Sequence, residues 1–534
     1  MEIAFTILGG IGVFLLGMKL LSDNLRDAAG DALRVLLARF TSGKFSSVAT
    51  GTIFTALVQS SSATTLASIG FVSAGLLTFT QAVGVIFGAN LGTTATSWLV
   101  AIVGFKININ AFALPLVGVG ALANLLLKGR TAHFGAALAG FGLIFIGIDI
   151  LQVGMSGLAD DIDLSGISGE GLIGQLILVG VGIVMTVLMQ SSSAAIATTL
   201  TALHSGAIDL AQAAALVIGQ SVGTTITAAI AAIGGSLAAK RTALAHILFN
   251  LITAILALAV LPLFLWAYDA WEDAGHILAY ATAIAIFHTC FKILGVAVLL
   301  PALEPFSNLV FRIIPGTEPR YAAGLDKNAA SIPAVAIEAA SKTNEEIFQG
   351  VRRLARLGLS TPAELERHRA DVDAIDLGLL STREFLDQVR TDPDQKADYA
   401  RHLSVLHTLD HLERLQRSLS VDPAILTLIR THAALSRAYQ ILDQILEDAE
   451  EPTEETVAEL ATLSTRLAEE RKRQRHSLLE AGARGDRPPT EIDRLLRALH
   501  WTDRVAFHTW RAAYYLAGGV FDPDVESRDP SQGQ

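Results

Sequence analysis

The chain has 534 residues, 51% of them hydrophobic, with a mean hydropathy of +0.47, which is too apolar for an ordinary soluble enzyme and points to a membrane protein. A formal net charge of −11 argues against a nucleic-acid partner, and the single cysteine, Cys290, excludes an intramolecular disulfide. Apolar runs with few charges fill residues 1–300, whereas Arg, Asp, Glu and His are dense from Glu304 onward, so one domain lies in lipid and one in water.

In chain order, apolar stretches long enough to cross a hydrocarbon core of about 30 Å with about 20 residues fall near 4–22, 81–104, 111–128, 134–155, 211–235 and 243–267, with a seventh near 277–300. The first lacks a basic leader and a cleavage signal and reads as a retained span. Two further apolar stretches, Phe45 to Ala74 and Leu172 to Ser205, carry a polar cluster at their middle. They are copies of one another. Adding 131 to each number from Gly51 to Thr96 gives Gly182 to Thr227 without a gap, and 16 of the 46 positions are identical. Among these are Gln59/Gln190, the serines 60–62 and 191–193, Gln81/Gln212 and Gly92-Thr93-Thr94/Gly223-Thr224-Thr225. Upstream, Gly12 and Gly17 match Gly142 and Gly147 at an offset of 130, so each copy begins with its own apolar helix.

A polar tip inside such a stretch predicts a re-entrant hairpin: helix in, break, helix out. Broken backbone at membrane depth is tolerated only in protein or beside a wet cavity. Loop charges orient the copies. Arg26, Arg34, Arg39 and Lys44 follow the first helix, while Asp160, Asp161, Asp163 and Glu170 follow its counterpart. The positive-inside rule places the first loop in the cytoplasm and the second outside, so the two copies are inverted in the membrane. The fold expected is all-α: a polytopic membrane domain, 1–305, of two inverted-topology repeats (about 5–128 and 134–267) and an extra span at 277–300. A linker at 306–329, a cytoplasmic helical bundle at 330–520, broken at Pro362, Pro393, Pro423, Pro452 and Pro488-Pro489, and a disordered tail at 521–534 follow.

The tips define the chemistry. An amide and three hydroxyls at a broken helix, twice over, supply N–H and O–H donors for an oxyanion and carbonyl and hydroxyl oxygens for a hard cation. The candidate phosphate and sodium ligands are Gln59, Ser60, Ser61, Ser62, Gln190, Ser191, Ser192 and Ser193, with Asn90, Thr93, Thr94, Ser221, Thr224 and Thr225 beside them. The glycines within the second set allow a local unwinding. A lone Ser or Thr in a membrane helix is an ordinary packing residue; a duplicated QSSS is not. No His or carboxylate lies close in sequence to either tip to activate a serine, so an enzyme is not expected. Lys19 reads as a snorkelling residue, Asp149 as a cation ligand or an interface group, and His246/Asn250 and His288/Lys292 as interhelical hydrogen-bonding pairs.

With its twin QSSS motifs, its Gly-Thr-Thr elements and the helix Ala245-His246-Ile247-Leu248-Phe249-Asn250, the chain resembles the type II Na⁺/phosphate cotransporter family, in its bacterial members with a cytoplasmic PhoU-like domain. The resemblance implies a multi-pass protein of the cytoplasmic membrane whose hairpins bind phosphate and Na⁺. It implies no cofactor and no metal beyond Na⁺. Lys292 departs from the pattern, since an amide is expected there. In the soluble part, Leu412-Glu413-Arg414-Leu415 and the helix around Asp503 resemble PhoU, but Arg417 stands where an Asp is expected; Asp410, Glu413 and Asp503 read as a solvated face and not a metal cluster. A homo-oligomer and regulatory contacts through the PhoU-like domain are compatible with this. Three functions fit: Na⁺-coupled phosphate transport, transport or export of another small anion, and a phosphate sensor that does not transport.

Overall fold

Long apolar runs with few charges favour helices, because a helix satisfies its own backbone where water is scarce. The computed structural model describes residues 2–39, 43–73, 77–105, 110–161, 171–233, 235–316, 321–322, 324–326, 330, 333–393 and 396–520, and among them there is no strand. Two units divide the chain after Gly316.

The first unit contains α1 (Glu2–Arg39), α2 (Lys44–Val58), α3 (Ser61–Ser73), α4 (Phe79–Gly92), α5 (Thr94–Trp98) running into a π-helical turn at Leu99–Gly104, and α6 (Asn110–Leu126). The same succession then recurs as α7 (Arg130–Asp161), α8 (Leu172–Met189), α9 (Ser192–His204), α10 (Leu210–Ala232) and α11 (Leu237–Asp273), followed by α12 (Tyr280–Leu299) and α13 (Leu303–Ile313). Among the described residues, seven helices are long and apolar enough to span a membrane, making this a multi-pass membrane protein. Their membership differs by one from the sequence expectation. Helix α8, with 18 residues, qualifies, whereas α6, with 17 residues, reaches about 26 Å and falls short.

Other boundaries moved for local reasons. The loop expected after residue 22 is a continuation of α1 through Arg39, where Arg26 lies against Asp23 and Asp27 on the helix surface. The acidic stretch after 267 likewise stays helical through Asp273. Of the acidic loop after the fourth span, Asp163 and Glu170 lie outside the described residues, and so does the tail 521–534. The expected linker at 306–329 begins as part of α13: Leu303, Phe306, Ser307 and Val310 form one buried stripe at helical spacing, and Arg241 donates to the carbonyls of Ile314 and Gly316 (3.0 and 2.9 Å).

Repetition extends to details. Thr78 caps α4 and Asp209 caps α10, each in a reciprocal box with the residue three further on, Gln81 or Gln212. Those identical glutamines are thus helix caps. Glycines set the packing. A Cβ on Gly51 would overlap the Val85 carbonyl and one on Gly182 the Leu216 carbonyl; Gly88 and Gly219 meet the Val48 and Val179 carbonyls in the same way. Helix α2 therefore lies on α4 as α8 lies on α10. Between the first helices of the two copies, a Cβ on Gly17 would sit 2.7 Å from the Ile144 nitrogen, and one on Gly147 would sit 2.6 Å from the Phe14 nitrogen. These reciprocal contacts, with Gly10 against Leu151 and Gly140 against Leu21, run in opposite directions along α1 and α7. The two helices are antiparallel.

The second unit comprises α14 (Pro333–Ser360), α15 (Pro362–Arg367), α16 (Arg369–Leu386), α17 (Lys396–Arg417), α18 (Pro423–Thr431), α19 (Ser436–Asp448), α20 (Glu454–Ala483) and α21 (Pro489–Leu516). Every break at a proline named above is present, with Pro362, Pro423 and Pro489 at helix starts, where a missing N–H costs nothing. Asp410 and Glu413 pair on the helix surface with Arg414 and Arg383. Asp503 departs from the solvated reading: it is buried against Arg471 at 3.0 Å, and burial pushes its carboxyl above the usual range although Arg471 and Lys472 oppose this.

Two predictions follow from this packing. Gly88→Ala and Gly219→Ala meet backbone that cannot yield, so each should cost about 1–3 kcal/mol and lower the melting midpoint of the purified protein; Gly9→Ala and Gly180→Ala, with nothing within 4 Å, should not. In the second unit, burial lowers the His402 and His500 imidazoles, with Arg390 beside the first and Arg504 and Arg471 beside the second adding to it. The Nε2 atoms of both are buried without a partner. The unfolded chain takes up their protons at higher pH than the folded chain does, so stability falls as pH drops below about 6.5. Melting of this unit measured from pH 7 to 5 should show wild type losing ground against His500→Gln as pH falls.

Candidate functional site

Helix α2 stops because Gln59 adopts the left-handed conformation (φ 55°, ψ 29°), and α8 stops because Gln190 does the same (φ 52°, ψ 21°). Left-handed backbone costs a residue other than glycine about 1–2 kcal/mol. Among the described residues other than glycine, only Tyr321 shares a positive φ. Each glutamine turns its amide back on its own helix, Gln59 Nε2 donating to the Ala56 carbonyl and Gln190 Nε2 to the Val187 carbonyl, both at 2.6 Å. The chain then restarts at once. Ser60 and Ser191 accept from the backbone N–H of Ala63 and Ala194, both at 3.2 Å, capping α3 and α9.

Both breaks face one cavity of about 110 Å³, lined by Gln59, Ser60, Ser61, Ser62, Gln190, Ser191, Ser192 and Ser193 together with Thr93, Thr186, Thr224 and Thr227. It has room for several water-sized groups. A hydroxyl bridge ties the tips together: Thr96 Oγ1 donates to Gln59 Oε1 (2.9 Å) and lies 3.2 Å from Ser193 Oγ. Thr227, the counterpart of Thr96, donates to the Thr224 carbonyl instead (2.8 Å), and Gln190 is exposed. The two halves of the site are alike in sequence and unlike in engagement.

The second polar set divides. Thr93 and Thr224 line the cavity; Asn90, Thr94, Ser221 and Thr225 do not. Thr94 and Thr225 donate to the Leu91 and Val222 carbonyls of their own helices, at 2.8 Å each. Asn90 turns away to Lys292, and Ser221 Oγ is buried without a partner. Neither side unwinds: Thr93, between α4 and α5, keeps helical dihedrals (φ −63°, ψ −20°) and its N–H bond to the Ala89 carbonyl (3.1 Å), and α10 runs straight through Ser221–Thr225, the Thr224 and Thr225 hydroxyls absorbed by carbonyls three residues back. Thr186 and Thr227 were missed. Their signal was present, since Thr55/Thr186 and Thr96/Thr227 are identical pairs in the duplication. Asp149 does not line the cavity, and Lys19 is exposed. His288 makes an interhelical bond, Nδ1 to Ser97 Oγ at 2.8 Å.

The starts of α3 and α9 thus bring helix N-termini and serine hydroxyls to one space, with Gln59 and Gln190, which end α2 and α8, beside it. Among the described residues, neither Lys nor Arg lines the cavity. This arrangement can hold an oxyanion on helix N-termini with a small cation next to it.

A helical multi-pass fold with a polar cavity lined by both copies of a duplicated motif is an architecture of membrane transporters. The family model of the Na+/Pi-cotransporter matches residues 13–153 and 169–294, and the chain belongs to that family. It is similar to "Uncharacterized protein YqeW" of Bacillus subtilis (strain 168), 33% identical over 316 residues that cover 59% of this chain and 98% of the relative. It also resembles the "Putative inorganic phosphate export protein YjbB" of Escherichia coli (strain K12), 24% identical over 389 residues, 69% of this chain and 68% of that one. The Salmonella typhimurium protein of the same name is 22% identical over 427 residues, 76% and 75% of the two chains. No solved structure matches.

The asymmetry of the bridge is measurable. Thr96→Val removes hydrogen bonds to both tips and should cost about 1–3 kcal/mol, whereas Thr227→Val, which breaks only a bond within its own helix, should cost less than about 1 kcal/mol. Thermal unfolding of the two variants checks this, and equal losses would contradict the bridge.

Proposed function

We propose that the protein is a secondary transporter that couples Na⁺ to the movement of inorganic phosphate across the cytoplasmic membrane. The observation that carries this reading is the convergence of both QSSS breaks on one cavity with no basic side chain among the described residues of its wall. A phosphate there is met by the N–H groups and hydroxyls of Ser60–Ser62 and Ser191–Ser193, and its remaining charge by co-bound Na⁺ on the carbonyl oxygens of the helix ends. Thr93, Thr186, Thr224 and Thr227 complete the wall. The family name supports Na⁺ and phosphate as the transported pair, and the exporter name of two relatives favours outward movement as the second reading.

In this reading the two copies are inverted and their breaks are tips of re-entrant hairpins, a proposal supported by the antiparallel contacts of α1 with α7. The second unit is a PhoU-like domain on the cytoplasmic side that regulates transport and contributes nothing to the site. The exchange of sites between the two faces is the task of the duplicated halves.

Reciprocal coupling of the two ligands is a thermodynamic necessity if they share the cavity. Phosphate affinity measured by calorimetry should therefore rise with Na⁺. Gln59→Ala and Gln190→Ala should each weaken it about 10-fold to 150-fold, the loss of a hydrogen bond to a charged group. Sodium-independent affinity in wild type, or unchanged affinity in both variants, would overturn the proposal. Counterflow of labelled phosphate in proteoliposomes with inward and outward Na⁺ gradients decides the direction.

A further inference from the structure

Lys292 is fully buried in the first unit, on α12, and among the described residues its hydrogen-bond partners are amides and not carboxylates. Its ammonium donates to Asn250 Oδ1 on α11 at 2.8 Å and to Asn90 Oδ1 on α4 at 3.3 Å. The rings of Phe249 and Phe291 lie 5.9 and 5.7 Å from the nitrogen, at the outer limit of cation–π attraction. A charge among membrane helices is costly and marks a function by default. Among the described residues, the groups that offset the cost by contact are neutral amide oxygens and ring faces.

The amides are set for that purpose. Asn90 Nδ2 donates to the Ile86 carbonyl (2.9 Å) and Asn250 Nδ2 to the His246 carbonyl (3.0 Å), so each amide spends its N–H on its own helix and turns its oxygen toward the same point. Two carbonyl-type oxygens held in this way suit a hard monovalent cation. The point is close to the cavity wall: Thr93, which lines the cavity, donates to the backbone carbonyl of Asn90 at 2.7 Å.

We propose that Asn90, Asn250, Phe249 and Phe291 form a monovalent-cation cage whose resident is the tethered ammonium of Lys292, in place of a free ion such as Na⁺. It follows that one of the positive charges offsetting a bound anion is covalently fixed, one helical turn behind the cavity. This second statement rests on the phosphate reading above; the cage itself does not.

The test uses the full-length protein. Without phosphate, the melting midpoint is measured in NaCl and in choline chloride at equal ionic strength for wild type, Lys292→Ala and Lys292→Met; methionine refills the stem and leaves only the ammonium position open. Both variants should gain a Na⁺ stabilisation about 2–4 °C larger than that of wild type, and Lys292→Ala combined with Asn250→Leu should lose it. An equal Na⁺ response in wild type and in whichever single variants fold would overturn the cage. In a second arm, calorimetry follows phosphate binding against Na⁺: at low Na⁺ the affinity of Lys292→Ala should fall about 10-fold, and the slope of log affinity against log Na⁺ should steepen by about one ion. An unchanged slope would overturn the fixed-charge role. Absence of phosphate binding in wild type would refute the functional reading and leave the cage to be decided by the first arm.

Discussion

A helix that ends inside apolar surroundings must dispose of its last carbonyls and first N–H groups without water, and the first unit is arranged around that demand. Gln59 and Gln190 meet it in the same way, taking a left-handed turn that their side chains support by bonding back to Ala56 and Val187. Ser60 and Ser191 take up one N–H of the restarting helix. What they leave unpaired becomes the cavity. The apolar helices around the tips keep the low dielectric in which such partial charges act strongly. Elsewhere the same demand is met by absorbing hydroxyls into helix carbonyls, as at Thr94, Thr225, Thr253 and Thr289.

Much of this was legible in the sequence because it is local or repeated. The 131-residue offset located both breaks, and a glutamine with three serines inside apolar sequence has no simple packing explanation. Proline positions gave the divisions of the second unit for the same local reason. What could not be read depends on partners far apart in the chain. Asn90 looked like a cavity residue since it stands beside Gly92-Thr93-Thr94, yet Lys292, about two hundred positions later, claims its oxygen. Asp503 looked solvated because a carboxylate on a helix ordinarily faces water, and only packing buries it against Arg471. The length of α1 was misjudged because arginines, read as loop charge, are also good helix formers. Gln81 and Gln212 show the converse, where identity in both copies marks a structural cap.

Duplication gives each half the same inventory, but the observed state uses it unequally. Thr96 joins Gln59 to Ser193, while Thr227 stays with its own helix and Gln190 is exposed. Sequence identity between copies therefore does not imply identical chemistry at a given moment. In an arrangement of this kind, the hydroxyl that bridges and the hydroxyl that does not differ by a few hydrogen bonds, each worth about 0.5–1.5 kcal/mol. That is a small free-energy difference for two states to exchange across.

The glycine contacts also bear on mechanics. Gly51 and Gly88 bring α2 and α4 into backbone contact, Gly182 and Gly219 do the same for α8 and α10, and at the neighbouring glycines 84, 92 and 223 the small side chains of Ser47, Thr55 and Thr186 close the contact. Such pairs cannot slide or roll past one another without main-chain collision. Each behaves as a stiff plate carrying one glutamine at its rim, so any displacement of the two glutamines relative to each other must be taken up at the seams between plates.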